Sequence, residues 1–455
     1  MSDSPIIVPA SVLGKNAPSN HIQIGVIGCG RYAISHDIPL TALYQHARII
    51  AVCDVDTMRA TAAIPIIQSS YRQAAIRRNE IISDWSIKVY DNYRELLLNP
   101  EIDAVIISLP DHQHAVVATH AVRAGKHVYL QKPATLTIEE GKIVREEVNR
   151  SGKIVQIGSQ QRSLFPWPQF KRAAELVRTG KIGELKEVQI GFSADTGGGH
   201  PLVTPIPAEL DYDAWLGPVP FLEYMEDRVH ARFGQQKGIY QRPGWLRCES
   251  FAAGMITNWG SHHIDIAHWA MDTEHTGPRE IIGKANFPRK EENYSGLWDV
   301  HGHFDTEALY DNGVKMYISS RLPHGIQFVG SEGWIWVTRG SCSWKEGIPI
   351  PDAQGIIALN ASNPAILHAE IKTNDCQLYV SDEHHLNWLN CIRTGTAPVA
   401  PIETGHRSNS ACLLHWIAMK LNKKIYWDPL KEAFTNNDPD ATALLSRTRR
   451  KEYDF

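Results

Sequence analysis

The sequence has 455 residues, a length that exceeds one ordinary hydrophobic core and suits two domains. Its formal net charge is −4, from 46 basic and 50 acidic residues, a balance that argues against a nucleic-acid partner or an anionic membrane surface. No apolar run approaches the roughly 20 residues of a membrane span, and seven scattered cysteines without a Cys-x-x-Cys pair argue against a disulfide framework or a structural zinc site.

Residues 1–20 hold no periodic pattern and are predicted to form a leader arm rather than a helix or a strand. They contain no basic segment followed by a long apolar one, which an intact export signal would need. A cytoplasmic protein is therefore the first expectation.

A dinucleotide-binding unit opens directly after this arm. The apolar run at 22–27 predicts a strand, and the turn at 28–33 comes directly after it. In that turn Gly28 would permit the tight bend, Gly30 would let the backbone approach a pyrophosphate, and Ala33 would keep the next helix close to the sheet. The phosphates would lie at the N-terminus of that helix, where free N–H groups attract anions.

The acid that completes this unit is Asp54, which ends a second apolar run at 49–53. Its carboxylate can accept hydrogen bonds from both ribose hydroxyls of an adenosine and would repel a 2′-phosphate. We therefore predict NAD as the cofactor. NADP is the less favoured alternative, which the nearby Arg59 keeps open.

Four further short apolar runs, at 88–90, 104–108, 127–130 and 154–158, complete a count of six strands. Strands that are apolar throughout belong in a parallel sheet covered on both faces, so residues 21–158 are predicted to form a Rossmann-type, doubly wound domain. Such sheets bind ligands at the carboxyl ends of their strands. The residues predicted to contact the cofactor there are Gly28, Gly30, Arg31, Tyr32, Ala33, Asp54, Arg59, Ser108, Leu109, Pro110, His112, His114, Gln131 and Lys132.

Residues 159–455 have a different pattern. Alternation of apolar and polar residues at 185–192 and in segments between 280 and 344 predicts a large, open, mostly antiparallel sheet. Helical patterns return at 381–393 and 405–421. The predicted fold class is therefore α/β, with a C-terminal α+β domain for substrate binding and oligomerisation.

Lys132 is the first candidate for chemistry. It comes directly after the fifth strand, at the edge where a nicotinamide ring would sit, and Pro133 fixes the backbone behind it. A lysine there can hydrogen-bond a substrate hydroxyl and help to remove its proton during hydride transfer. If the motif stood alone, a surface lysine on a loop would be the better interpretation.

The second candidate lies on a helix predicted from about Thr257 to Met271. Asn258, His262 and Asp265 are spaced i, i+4, i+7 and so share one face of that helix. His262 is the natural proton acceptor because imidazole titrates near neutrality. The adjacent His263 points about 100° away, so the two histidines cannot easily turn to one ion, and no metal is predicted.

Together these motifs resemble those of the glucose-fructose oxidoreductase and inositol dehydrogenase family, written Gfo/Idh/MocA. The resemblance is carried by the glycine turn with Asp54, by Gln131-Lys132-Pro133 and by the block 254–267, and it extends over nearly the whole chain after His21. It implies oxidation of a sugar or cyclitol hydroxyl by NAD or NADP, with the motif lysine and the helix histidine at the reacting carbon. It also implies a homodimer or homotetramer formed through the outer face of the open sheet.

Three features of the sequence qualify this resemblance. The family usually has glutamate where Gln131 stands, so Lys132 loses a negative charge that would hold it protonated. Many relatives have aspartate where Asn258 stands, and an amide can orient a hydroxyl but cannot share a proton. The segment 12–20 resembles the stretch directly after a twin-arginine signal in exported relatives, so a periplasmic location is the alternative to a cytoplasmic one.

The predicted function is NAD-dependent oxidation of a secondary hydroxyl of a sugar or glycoside, a glycoside 3-dehydrogenase being one form of it. One alternative is a closed redox cycle with tightly bound NAD, giving epimerisation, sugar-to-sugar transfer or redox-assisted glycoside cleavage. A non-enzymatic alternative is a nucleotide-binding sensor. The catalytic residues would be Lys132 and His262, and the residues predicted to hold the substrate are Asn258, Arg162, His263, Trp245, Arg247 and His200.

Overall fold

The computed structural model describes residues 21–80, 82, 85–230, 243–290, 292–340, 342–345, 348–351, 358–372 and 375–454. The predicted leader arm, 1–20, lies outside the described residues. Within the described part of the chain, no helix is both long enough and apolar enough to cross a membrane.

The N-terminal region forms a parallel sheet of six strands in the spatial order β3-β2-β1-β4-β5-β6, which is the doubly wound order of dinucleotide-binding folds. Every residue of β1 and β4 is buried, as expected for a sheet covered on both faces. The six predicted strands are confirmed at β1 Ile22–Ile27, β2 Ala47–Cys53, β3 Lys88–Tyr90, β4 Ala104–Ile107, β5 His127–Leu130 and β6 Val155–Ile157.

The helices that cover this sheet connect its strands. The first of them begins as a π-helical turn, Ala33–Asp37, directly after the glycine loop. No pattern in the sequence indicated this turn, and π turns are often found at functional sites. The α-helices of this region are α1 Ile38–Ala42, α2 Thr57–Arg77, α3 Tyr93–Leu98, α4 Asp111–Arg123 and α5 Ile138–Ser151.

The second region is built on a nine-stranded sheet in the order β15-β12-β11-β7-β10-β9-β8-β16-β17. All neighbours are antiparallel except β7 and β10, which confirms the predicted mostly antiparallel sheet. Its strands are β7 Leu185–Gly191, β8 Pro278–Ala285, β9 Phe304–Tyr310, β10 Lys315–Ser319, β11 Gly325–Gly330, β12 Trp334–Val337, β15 Leu359–Ala361, β16 Ile425–Asp428 and β17 Ala433–Phe434, while β13 Cys342–Lys345 and β14 Ile348–Pro351 form a separate pair.

The helices of this region are α6 Gln169–Arg178, α7 Tyr212–Leu216, α8 Met255–Asn258, α9 Gly260–Met271, α10 Pro364–Leu367, α11 His384–Thr394, α12 Ile402–Leu421 and α13 Pro439–Ala443. Apolar side chains of α6, α9 and α12 pack with one face of the nine-stranded sheet in a single core. This packing holds α9, which carries His262, against the nine-stranded sheet.

One C-terminal helix belongs structurally to the N-terminal sheet. Trp388 and Leu389 of α11 are buried in the same core as Ile24 and Ile106 of strands β1 and β4. Helix α11 therefore packs against the N-terminal sheet although it lies far along the chain.

Candidate active site

A cavity of about 1000 Å³ lies at the carboxyl ends of β1, β2, β4 and β5. This is the edge where open α/β sheets bind ligands, and the volume lies at the upper end of the range for small-molecule sites. The second region closes the cavity with the residues after β7, with the turn around Trp245 and with α8 and α9. Groups from both halves of the chain therefore face one space.

The glycine loop forms one wall, and its geometry fits a bound dinucleotide. Gly28 has φ +90°, and a Cβ there would lie 2.5 Å from the carbonyl oxygen of Ser108, so only glycine fits. A Cβ on Gly30 would meet nothing within 4 Å, because that backbone faces the open cavity. A pyrophosphate could approach the loop at Gly30, which is the role that the sequence predicts for it.

Asp54 lies at the end of β2, and its carboxylate both lines the cavity and holds the loop. One oxygen accepts a hydrogen bond from the backbone N of Cys29 at 2.7 Å, and the other accepts from the backbone N of Asp56 at 2.9 Å. Burial raises the pKa of Asp54, while these two hydrogen bonds favour the ionised form. Arg59 donates to Asp56 at 3.2 Å and is 8 % exposed, so a carboxylate already engages the cation that could favour a 2′-phosphate.

Lys132 comes directly after β5, and its side chain crosses to the second region. Its Nζ donates to the backbone oxygen of Asn258, the last residue of α8, at 3.0 Å. Lys132, Asn258 and His262 all line the cavity. The lysine therefore lies where the two halves of the site meet.

His262, on α9, is the group best suited to accept a proton. Its side chain is buried, and its Nδ1 has no hydrogen-bond partner among the described residues. Burial and the positive charges of Arg339 and Lys132 hold its pKa well below the usual value. These effects favour the neutral imidazole, which is the form that can accept a proton.

The polar face predicted for the helix at 257–271 is divided in the structure. The helix is interrupted at Trp259, and only Asn258 and His262 face the cavity. Asp265 instead binds the guanidinium of Arg162 at 2.6 and 3.0 Å and accepts a hydrogen bond from Ser408.

Arg162, which is predicted to hold substrate, does not line the cavity. It is 1 % exposed and forms a second ion pair, with Glu274, at 2.6 Å. These two carboxylates neutralise the positive charge of Arg162 at a place outside the cavity. The sequence could not reveal this because Asp265 and Glu274 lie more than one hundred residues further along the chain.

Three predicted histidines also lie outside the cavity, each held by its own neighbours. His112 faces the backbone oxygen of Trp215 at 3.0 Å. His114 lies between the carbonyl oxygens of Leu109 and Pro133, at 2.9 and 2.6 Å. His263 is fully buried and stacks on Trp259. Burial lowers the pKa of all three, which favours their neutral forms.

Two further predicted contacts do not reach the cavity. Ala33 is fully buried in the core under the loop, which is the close packing that the sequence predicts for it but leaves no surface for a ligand. His200 is exposed, and its backbone N donates to Asp227. The predicted residues that do line the cavity are Gly28, Gly30, Arg31, Tyr32, Asp54, Arg59, Ser108, Leu109, Pro110, Gln131, Lys132, Trp245, Arg247, Asn258 and His262.

Asp37, in the π-helical turn, contacts two residues that line the cavity, Gln131 and Ser108, and no pattern in the sequence indicated it. It is fully buried, accepts from the side-chain amide of Gln131 at 2.8 Å and from the Ser108 hydroxyl at 2.5 Å, and lies 3.1 Å from a ring nitrogen of His385. The family usually has a carboxylate at position 131, and here the carboxylate of Asp37 lies directly beside Gln131 instead. A residue 94 positions distant supplies it, which no local pattern could indicate.

Arg339 is the second missed residue. It lies just beyond the end of β12 and lines the cavity close enough to His262 to lower the pKa of that histidine. A cation directly after a strand of the second sheet was the available sequence signal.

Two models of one protein family match this chain. The model described as oxidoreductase family, NAD-binding Rossmann fold, matches residues 22–159, and the model described as oxidoreductase family, C-terminal alpha/beta domain, matches residues 191–321. Together they span more than half of the chain.

Among curated proteins, the chain is 30% identical over 178 residues to a scyllo-inositol 2-dehydrogenase (NAD(+)) of Bacillus subtilis, covering 39% of this chain and 46% of that protein. It is 30% identical over 164 residues to inositol 2-dehydrogenase 1 of Saccharopolyspora erythraea, covering 36% and 43%. The matched segments thus span less than half the length of these relatives.

Solved structures show the same fold at low sequence identity. An aldose-aldose oxidoreductase of Caulobacter crescentus aligns over 89% of this chain and 99% of its own with a TM-score of 0.56 and 17% identity. The WlbA dehydrogenase of Bordetella pertussis, in complex with NADH and UDP-GlcNAcA, aligns over 90% and 99% with a TM-score of 0.57 and 14% identity. With both family models matched in chain order and both halves folded as this likeness indicates, the chain belongs to the Gfo/Idh/MocA family of NAD-binding oxidoreductases.

Proposed function

We propose that this protein is an NAD-dependent dehydrogenase that oxidises a secondary hydroxyl of a sugar or glycoside. The observation that carries the proposal is the meeting of Lys132 and His262, from different halves of the chain, in the cavity bounded by the glycine loop. The inositol 2-dehydrogenases among the relatives support a polyhydroxylated ring as the substrate.

The residues present supply the proton chemistry of such a reaction. When bound, the nicotinamide would accept the hydride from the substrate carbon. The neutral imidazole of His262 can accept the hydroxyl proton, and the Lys132 ammonium can donate a hydrogen bond to the same oxygen as negative charge develops on it. Asn258 would orient that hydroxyl, and Trp245 and Arg247, which also line the cavity, would contact other parts of the ring.

We propose NAD rather than NADP because of the charges around Asp54. Its carboxylate would accept hydrogen bonds from the adenosine ribose, and Arg59 is engaged by Asp56 rather than free for a 2′-phosphate.

A second proposal concerns assembly. Ile282 on β8 and Tyr426 on the neighbouring β16 are 46% and 39% exposed on the outer face of the nine-stranded sheet. Exposed apolar side chains on adjacent strands support a homodimer or homotetramer formed through this face. Sedimentation velocity on the wild type and on Ile282→Lys would test it, since a monomeric wild type would contradict it.

The test of the proposed activity is turnover of a panel of sugars, cyclitols and methyl glycosides with NAD, monitored by the absorbance of reduced nicotinamide. Accumulating NADH would support the dehydrogenase, and a 3-keto product from a glycoside would identify a glycoside 3-dehydrogenase. Substrate consumption without NADH would indicate a closed redox cycle with retained cofactor. Tight NAD binding with no conversion of any compound would favour the nucleotide-binding sensor.

A further inference from the structure

Arg339 is a cation that lines the cavity near His262 and has no acidic partner among the described residues. Its Nε donates to the Gln161 side-chain oxygen at 3.0 Å, and its Nη2 is buried without a hydrogen-bond partner in the same part of the chain. Burial, with no described carboxylate to offset it, lowers its pKa to about 10.

Arg162 is a second buried guanidinium, and it does not line the cavity. That side chain is neutralised by two carboxylates, those of Asp265 and Glu274. A buried charge without such compensation is costly to stability. The uncompensated charge of Arg339 therefore indicates a site built for an anion that arrives with a ligand.

The surroundings of Arg339 also offer more donors than acceptors. The Nε2 of Gln161 is buried and lacks an acceptor among the described residues, as does Nη2 of Arg339. His262 and His324 are close enough for the charge of Arg339 to lower their pKa values. A negatively charged group rich in acceptors would offset the charge of Arg339, whereas a neutral sugar hydroxyl could accept a hydrogen bond but would leave that charge uncompensated.

The packing of the guanidinium selects the shape of that group. The ring centroids of Trp167 and Trp259 lie 4.0 and 4.7 Å from its central carbon, so aromatic rings pack against the guanidinium. The N–H groups of a guanidinium lie along its edge, and this edge matches a planar carboxylate in one or two hydrogen bonds.

We propose that the substrate is an acidic sugar, a uronate or uronoside, and that Arg339 binds its carboxylate while His262 and Lys132 act on a hydroxyl of the same ring. The inference rests on the proposed function and names the substrate class of that site. Arg339 is in this scheme a specificity residue that touches the substrate but not the reacting atoms.

The test compares matched acidic and neutral sugars on the NAD-loaded full-length protein. Calorimetric titrations would use glucuronate against glucose and galacturonate against galactose, together with the corresponding methyl glycosides. A hydrogen-bonded ion pair should make at least one acid bind about 10- to 100-fold more tightly than its neutral counterpart. Arg339→Met should abolish that ratio and leave the neutral sugar and NAD affinities unchanged, while Arg339→Lys should keep part of it.

Arg94→Met is the matched control, because Arg94 lines the same cavity but stacks on Tyr93 and Tyr453 near the end of β3. It should leave the acid-to-neutral ratio unchanged. Equal affinities for all acidic and neutral pairs in the wild type, or a ratio that persists in Arg339→Met, would overturn the proposal. Tighter binding of glucose 6-phosphate than of glucuronate would overturn the assignment to a carboxylate, and weaker NAD binding in Arg339→Met would assign the arginine to the cofactor.

These outcomes are separate from those that test the dehydrogenase. Binding of acids without NADH formation would contradict the proposed activity alone, whereas NADH from neutral sugars with no preference for acids would contradict the substrate class alone. If Arg339→Met does not fold, the acid-to-neutral affinity ratio of the wild type and its reduction in Arg339→Lys still test the proposal.

Discussion

Replacing Gln131 by the glutamate that is usual in the family should destabilise this protein. The Gln131 amide donates to Asp37 at 2.8 Å, and the two side chains are 6% and 0% exposed. Gln131→Glu would place two carboxylates in contact within the core. The substitution that looks most natural from the family pattern is therefore predicted to be harmful here.

The loss of stability equals the smaller of two free energies, that of charge repulsion and that of protonating the new glutamate. Two charged oxygens at this separation would repel by roughly 6 kcal/mol at an effective dielectric constant of about 20. Keeping the new glutamate protonated at pH 7, from an ordinary pKa of about 4.3, costs only about 4 kcal/mol and lets it donate to Asp37. The loss should therefore be about 4 kcal/mol at pH 7. It should shrink to about 1 kcal/mol at pH 5, because protonation costs less as the pH falls.

Urea unfolding at pH 5 and pH 7 would measure this for the wild type, Gln131→Glu, Asp37→Asn and the double variant. In the double variant the amide and the carboxylate exchange places, so the contact is restored and the two substitutions should be strongly non-additive. A Gln131→Glu protein as stable as the wild type at pH 7, or a loss of equal size at both pH values, would refute the reasoning.

The remaining predictions concern the cofactor, a buried ion pair and a buried histidine. NAD should bind at least about tenfold more tightly than NADP, a preference that Asp54→Ala should remove; equal affinities in the wild type, measured by titration, would contradict the role of Asp54. Arg162→Met should lower the free energy of unfolding by about 3–5 kcal/mol, because it leaves the carboxylates of Asp265 and Glu274 buried and unpaired; a loss below about 1 kcal/mol would show that the pair is not stabilising. Glu383 and Asp37 raise the pKa of His385 to about 9, so its contribution of about 3 kcal/mol is complete below pH 6.5 and lost as the pH rises through 9. Unfolding free energies between pH 6.5 and 9.5 should therefore fall less steeply in His385→Gln than in the wild type, and parallel profiles would count against this linkage.

The sequence was sufficient for features that depend on local pattern. Apolar runs located the six strands of the first sheet, and the glycines of the turn fixed where the cavity begins, because Gly28 and Gly30 have geometric requirements that the sequence alone expresses. Alternation in the second half indicated the open sheet for the same reason, since burial on one face repeats every second residue.

The parts that could not be predicted depend on distant partners. Arg162 and Arg339 are equivalent as residue types, and only the fold brings Asp265 and Glu274 to one of them and none of the described carboxylates to the other. His112 and His114 looked like ligands because they lie just beyond a strand end, yet nearby backbone carbonyls engage their rings. Residue type and position along the chain thus located the site, while the pairing of charges decided which residues face it.

The central claim is that Lys132 and His262 act together on one hydroxyl, and single-turnover absorbance of reduced nicotinamide tests it most directly. NAD-loaded wild type, Lys132→Met, His262→Ala and the double variant would be mixed with the best substrate of the panel. Each single variant should slow hydride transfer by roughly 10²- to 10⁴-fold with NAD binding nearly intact. The double variant should be little slower than either single one, because the two groups serve one step. A rate near that of the wild type in either single variant would remove that residue from the mechanism, and additive losses would contradict joint action on one hydroxyl.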